Sequence, residues 1–393
     1  MLQRISSHLL LGVVSLCSLQ AAQGATLEVA SETSIYTTQA LSAVFRTIRM
    51  KGLIEVGDAE KFRSLLVKLK TSATAKPEGP IVVELNGAGG DLLEGIKVGD
   101  VLREFHVTTV VRKGDLCLGA CTVAFVGGSA RDPAFGPAVP SRYIEIGGTV
   151  GMPNFYNPPP LRTQPSKYPV ESLLAYSARM GIEKGLRARL LGEAPDKILY
   201  MSTVEGFLVL STCPIGLGLP STSQSVQATN VCTQSTRSLD MHLPLRTTAI
   251  TEADARLSLL KYVKMHIWWL GVVGHPHFMT TPTLPPLESK LADRLKSDQF
   301  TQSEEEARQV YTELIAAGIP LPELLGATFE VSGYSTVNDR ITCIASLSPN
   351  DADRYDVIIQ GPDGMRKGSQ FAPKHCRSLF RYDMNDAINP RNE

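Results

Sequence analysis

From Leu53 onward the chain alternates short apolar runs with segments whose apolar residues recur every three or four positions. The run LIEV ends before Asp58, and Phe62, Leu65, Leu66 and Leu69 then fall at i, i+3, i+4 and i+7. That pattern predicts a short strand, a capping aspartate and a helix that buries one face. After a breaker at Lys76 to Pro80, Ile81 to Leu85 is almost wholly apolar, a glycine-rich turn follows, and a helix is expected over Asp91–Glu104 before a strand over Val107–Arg112. Strand, helix, strand with an apolar first strand indicates a parallel sheet covered on both faces. Gly95 and Gly99, one turn apart, would let the helix approach the sheet closely.

The alternation then repeats. An apolar helix runs through Phe125, with Gly127 and Gly128 ahead of Arg131 expected as its C-terminal cap, and a strand is expected near Tyr143 to Ile146. The segment NPPPLRTQPSKYP reads as a surface loop, and a helix is expected from Val170 to Leu191. Beyond Pro220 the texture turns Ser/Thr/Gln-rich, which suggests a connection ending near Asp240. Leu260, Val263, Ile267 and Leu270 then mark one face of a helix, whose Trp268 and Trp269 read as core or interface aromatics. The runs ATFEV, ITCIASL and YDVIIQ give a small β-rich module. The expected layout is a leader over 1–24, an α/β domain over 34–220, a connection over 221–250, a helical segment over 251–320 and the β-rich module over 325–380.

Charge changes this picture only by exclusion: 39 basic and 39 acidic side chains in 393 residues give no bulk field for polyanions, so nucleic acid is not an expected partner. The N-terminus adds more. One cation at Arg4, an apolar core from Leu9 to Leu19 and small residues from Ala21 to Ala25 form the three parts of a secretory leader, with cleavage expected after Ala22 or Gly24. The core is short for a membrane span, so an uncleaved anchor is the weaker alternative. Cys17 follows Leu16, where a lipoprotein signal wants a small residue. Export places the protein in the periplasm or outside the cell.

Loss of the leader leaves Cys117, Cys121, Cys213, Cys232, Cys343 and Cys376. An even number in an oxidising compartment favours disulfides, and sequence order suggests the local pairs 117–121, 213–232 and 343–376. There is no CxxC and the histidines are scattered, so neither a metal nor another cofactor is expected.

The chemistry concentrates in NGAGGD and CLGAC. A glycine pair between a buried strand and a helix can turn backbone N–H groups toward an oxyanion. The lysine and hydroxyl of a phosphate loop are missing. In order, LIEVGDA, VVELNGAGGDLLEG, CLGACTVAFVGGSAR, VGMPNF and MSTVEGFLVLS resemble the ClpP/crotonase-like superfamily, in particular its exported members, over Ser34 to Leu219. The resemblance implies a spiral of βαβ units, with Gly89 and Gly90 as oxyanion glycines, Ala120 as the donor after the nucleophile, and an acid matched by Asp196. It also implies a serine where Gly119 stands and a histidine where Gly151 stands. Acyl transfer by this route needs both.

Two readings follow. One is a pseudoenzyme whose cleft holds a peptide, acyl group or protein partner. The other is a peptidase or esterase with a relocated or cysteine nucleophile, Cys117 and Cys121 flanking the empty position. His106 and Thr122 read as scaffold, and Ser129 and Ser141 as the serines to watch. A homo-oligomer is compatible with either.

Overall fold

The computed structural model describes residues 24–30, 46–71, 81–131, 138–153, 170–182, 198–236, 245–273, 287–319, 321–335, 340–361, 364–367 and 376–390. Strands β1 (Thr26–Ala30) and β2 (Arg46–Lys51) precede helix α1 (Asp58–Thr71). Strand β3 (Ile81–Asn86), helix α2 (Leu92–Glu104) and strand β4 (Thr108–Val111) form the expected strand–helix–strand unit. Then come β5 (Leu116–Leu118), α3 (Ala120–Phe125), β6 (Ser129–Ala130), β7 (Val139–Pro140), β8 (Arg142–Glu145) and β9 (Thr149–Pro153). Helix α4 (Val170–Arg179), β10 (Ile198–Tyr200), α5 (Val204–Val209) and β11 (Cys213–Ile215) complete the first half.

The main sheet has the order β1–β2–β3–β4–β8–β11, with β1 antiparallel and the remaining neighbours parallel. All four residues of β4 and all but the last of β3 are buried, as a parallel sheet covered on both faces demands. A second sheet, β10–β9–β5, carries the turn before α3. The fold is thus α/β, as the sequence pattern indicated.

Several local expectations are corrected. Leu53 is 44% exposed and opens no strand; its run contributes a single parallel bridge from Ile54 to Gly90. Asp58 lies inside α1, and its carboxylate accepts the Glu55 N–H at 2.8 Å. Helix α4 stops at Arg179, because Gly181 at φ +73° lets the Ile182 N–H return to the Ser177 carbonyl at 3.0 Å. Gly127 and Gly128 serve packing rather than capping. Val126 is the C-cap, and a Cβ on Gly127 would come within 2.3 Å of the Gly99 carbonyl. Gly95 likewise admits α3, not the sheet, since a Cβ there would lie 2.6 Å from the Ala120 carbonyl, while Gly99 makes room first for the Tyr176 hydroxyl of α4.

The expected connection over 221–250 holds helix α6 (Gln224–Ser235) and strand β12 (Arg246–Ile250). Helices α7 (Glu252–Val273), α8 (Ser289–Lys296) and α9 (Glu304–Ala316) follow. Leu260 and Val263 of α7 are buried as expected, while the side chains of Ile267, Trp268, Trp269 and Leu270 lie outside the described residues. The β-rich module is the antiparallel sheet β12–β13–β14–β15–β16, with β13 (Ala327–Ser335), β14 (Arg340–Leu347), β15 (Tyr355–Gly361) and β16 (Gly364–Lys367).

Two of the three expected disulfide pairings are wrong: Cys213 bonds Cys376 and Cys232 bonds Cys343, while Cys117–Cys121 stands. Local pairing failed because α6 packs its Cys232 face on β14 within one core, and because the chain after Cys376 turns back to the first half. There Val204 N–H donates to the Asp386 carbonyl at 3.1 Å, and Asn389 accepts from Gly147 N–H and donates to the Gly148 carbonyl, each at 2.8 Å. Residues 1–23 of the expected leader, the breaker at Lys76 to Pro80, the proline-rich segment and Asp196 lie outside the described residues.

Candidate functional site

The glycine turn after β3 is sandwiched between two chain segments. On one side, the Ile54 N–H donates to the Gly89 carbonyl at 3.0 Å and the Asp91 N–H to the Ile54 carbonyl at 2.8 Å. On the other, the Gly87 N–H donates to the Leu116 carbonyl at 2.7 Å and the Leu118 N–H to the Gly87 carbonyl at 3.0 Å. Parallel pairing through Gly89 and Asp91 turns the N–H of Gly90 itself away from Ile54, toward the side that carries Leu118. Gly89 and Gly90 have φ of 133° and 128°, and a Cβ on Gly90 would lie 2.1 Å from the Ile54 carbonyl oxygen. Only glycine fits there. Asp91 then caps α2, its Oδ1 accepting the Glu94 N–H at 2.8 Å.

The next turn is built to similar demands. Between β5 and α3, Gly119 has φ 56° and ψ −119°, a backbone state that an L side chain occupies only under strain. The first N–H groups of a helix have no partner in a preceding turn, and Ala120 begins α3. Cys117 and Cys121 close the turn with Cα atoms 5.1 Å apart, and both are fully buried. A cysteine nucleophile at either position would require this disulfide to open. Thr122, read from sequence as ordinary scaffold, ties the turn to β9: its Oγ1 lies 2.8 Å from the Cys117 carbonyl oxygen and 2.7 Å from that of Gly151.

Gly151 sits on β9 opposite Tyr200 of β10, and its carbonyl also receives the Gly119 N–H at 3.2 Å. The turn and β9 are therefore adjacent. A Cβ on Gly151 would lie 2.7 Å from both Ile198 Cγ2 and Leu118 Cδ2 and 3.1 Å from Tyr200 Cδ1. Neighbouring side chains already fill that space. An open cleft of about 470 Å³ runs beside the glycine turn, lined by Leu53, Ile54, Glu55, Val56, Gly90 and Asp91.

The other titratable and nucleophilic candidates lie elsewhere. His106 follows α2 at the opposite, N-terminal end of the parallel strands, at φ 52°. Burial, and then Arg131, Lys70 and Arg103, hold its imidazole below its ordinary range. Ser129 is fully buried, and Ser141 pairs with Thr108 through hydroxyl oxygens 2.8 Å apart at the same end. Asp115, two residues before Cys117, takes a hydrogen bond from Asn86 Nδ2 at 2.7 Å; burial, followed by the charge of Glu84, pushes its carboxyl up.

Sequence reasoning named the glycines and the cysteine turn. It missed Ile54 as the segment backing Gly90, whose one signal is the apolar LIEV run, and it missed the side chains that fill the space at Gly151.

No family model matches the sequence, and no curated protein matches it. Among solved structures, a mutant of the 1510-N membrane-bound stomatin-specific protease is 14% identical, over 38% of this chain and 70% of that one, with a TM-score of 0.27. A mutant of ClpP1 from Listeria monocytogenes is 14% identical, over 39% of this chain and 81% of that one, with a TM-score of 0.26.

Proposed function

We propose that the chain is an exported, noncatalytic protein built on a ClpP-like domain, whose former active-site cleft holds a peptide strand, an acyl group or a partner segment without cutting it. In this reading Gly89, Gly90 and Ala120 keep the roles of oxyanion donors, Gly119 and Gly151 replace the serine and histidine, and Asp196 is the remnant acid. The single observation that carries it is the crowding at Gly151, where even a Cβ would overlap Ile198 and Leu118. A side chain at position 151 would have to displace these neighbours before it could act as a general base. Backbone donors stabilise a charge only after a nucleophile has created it, and alone they give a small part of the catalysis of a full constellation. Three disulfides suit an oxidising compartment, and among the described residues no helix is long and apolar enough to cross a membrane.

The test is activity-based labelling of the purified mature protein with a fluorophosphonate, alongside turnover of ester and peptide substrates. No labelled residue and no turnover above buffer are expected. A label that maps to any serine, Ser129 and Ser141 included, would overturn the reading. So would turnover that depends on Cys117 or Cys121.

A further inference from the structure

Ala25, the second described residue, lies just before β1 and is buried, with 4% of its surface exposed. Its backbone N–H donates to Asp58 Oδ2 at 3.2 Å, and Asp58 is itself 1% exposed. The same oxygen accepts the Glu55 N–H at 2.8 Å, while Oδ1 faces Lys61 Nζ at 2.7 Å. A second carboxylate stands close by: a Cβ on Gly24 would lie 3.2 Å from Glu55 Oε2 and 3.3 Å from Asp58 Oδ1. Asp58 thus touches the Ala25 N–H directly, and the Glu55 carboxylate stands beside Gly24. A neutral amide is a weak partner for such a place, and an ammonium a strong one.

The sequence before that bond is Ala22-Gln23-Gly24, which puts small residues at the first and third positions ahead of it, downstream of the apolar core Leu9 to Leu19. Leader-removing endopeptidases read that pattern. We propose that the Gly24–Ala25 bond is the processing site of this chain and that the ammonium freed on Ala25 seats between the Asp58 and Glu55 carboxylates.

The step is a hydrolysis by an export-linked endopeptidase. The C–N bond of Gly24–Ala25 breaks, the hydroxyl of water goes to the Gly24 carbonyl carbon and its hydrogen to the Ala25 nitrogen. The new carboxyl group on the leader then gives up a proton and the amine takes one up. Because the Ala25 nitrogen lies buried in the folded chain, cleavage precedes docking of this corner.

The docked terminus would act on the cleft. Glu55 belongs to the loop whose Ile54 pairs with Gly90, Asp58 opens the helix that follows, and Glu94 holds this corner through the Gly57 and Ala59 N–H groups at 3.0 and 2.9 Å. Leader removal therefore adds a fixed charge pair to the wall beside Gly90. This inference shares the export expectation with the reading above and is independent of whether the cleft catalyses anything.

Mass spectrometry of the protein exported from the full-length gene should give a chain that starts at Ala25. Two mature chains, one beginning at Ala25 and one at Ala22, should then differ in denaturation midpoint at neutral pH, by about tenfold in the folding equilibrium, which is the worth of a one-unit rise in an amino group's pKa on docking. A raised folded-state pKa gives stability that is complete below the unfolded value, near 8, and lost as pH rises through the folded one. The difference should accordingly vanish at alkaline pH, and also on Asp58→Asn at neutral pH. A terminus at any other residue, or equal midpoints for the two chains at neutral pH, would overturn the proposal. Should Asp58→Asn fail to fold, the alkaline arm decides alone.

Discussion

In the function proposed above, Gly119 and Gly151 stand where a serine and a histidine would act, and the two positions are constrained in different ways. At Gly119 the constraint is the backbone itself, held at φ 56° ahead of a helix that starts on the next residue and tied to β9 by its N–H. At Gly151 the constraint is space, which Leu118, Ile198 and Tyr200 occupy. The first position resists a side chain by conformation, the second by packing.

Paired substitutions break or sharpen that contrast. Gly151→His should be the most damaging, because its Cβ enters a filled space; overpacking of this kind costs about 1–3 kcal/mol, and an imidazole adds more. Gly119→Ser should cost less in total, because it adds only the backbone strain at φ 56°, roughly 1–3 kcal/mol, and no bulky ring. Denaturant titration of the two variants compares them directly, and equal losses would erase the distinction drawn between the regions.

A smaller effect is expected where the two regions meet. Thr122→Val removes the hydroxyl that lies between the Cys117 and Gly151 carbonyls, at a cost of about 1–2 kcal/mol for a buried hydrogen bond. Hydrogen exchange should then quicken at the Gly119 amide, which donates to Gly151, more than at amides of β3. Uniform quickening would mean that Thr122 supports the whole core rather than the junction.

The smallest effect belongs to His106, at the far end of the sheet, and it serves as the reference. Its folded-state pKa is lowered, so the folded chain binds the proton less readily than the unfolded one. Its contribution is therefore present above the unfolded value, near 6.5, and lost as pH falls below it. Asn tolerates the positive φ, so His106→Asn should flatten that slope between about pH 5 and 7 in thermal melts. An unchanged slope would assign the pH dependence to other groups.

What could be read in advance follows from the same physics. Strands β3 and β4 and helix α2 were legible because burial on both faces forces unbroken apolar runs, and because Asp91 is a strong helix-start signal. Helix α6 was not. Its sequence QSVQATNVCTQS buries Gln227, Asn230, Gln234 and Ser235 beside Val231 and Cys232, so its inward face carries no apolar period. The disulfide partners were hidden for a related reason: sequence order does not reveal that α6 packs on β14, or that the chain after Cys376 runs back past Val204. At the candidate site, glycines announced the two turns, whereas the filling of Gly151 depends on Ile198 and Tyr200, which reach it only through the pairing of β9 with β10.

The return of the chain through Asn389 carries a consequence for when this protein can finish folding. Gly147 and Gly148 find their partner 242 and 241 residues downstream, and Cys213 finds its own 163 residues downstream. Closing loops of that length is slow, and contacts of such high sequence separation form late. During synthesis the first half therefore emerges without the segment that completes it and stays open until residues 376–389 have been made. Under the export proposed above, that delay would hold back the compact state while the first half passes a translocation pore in extended form.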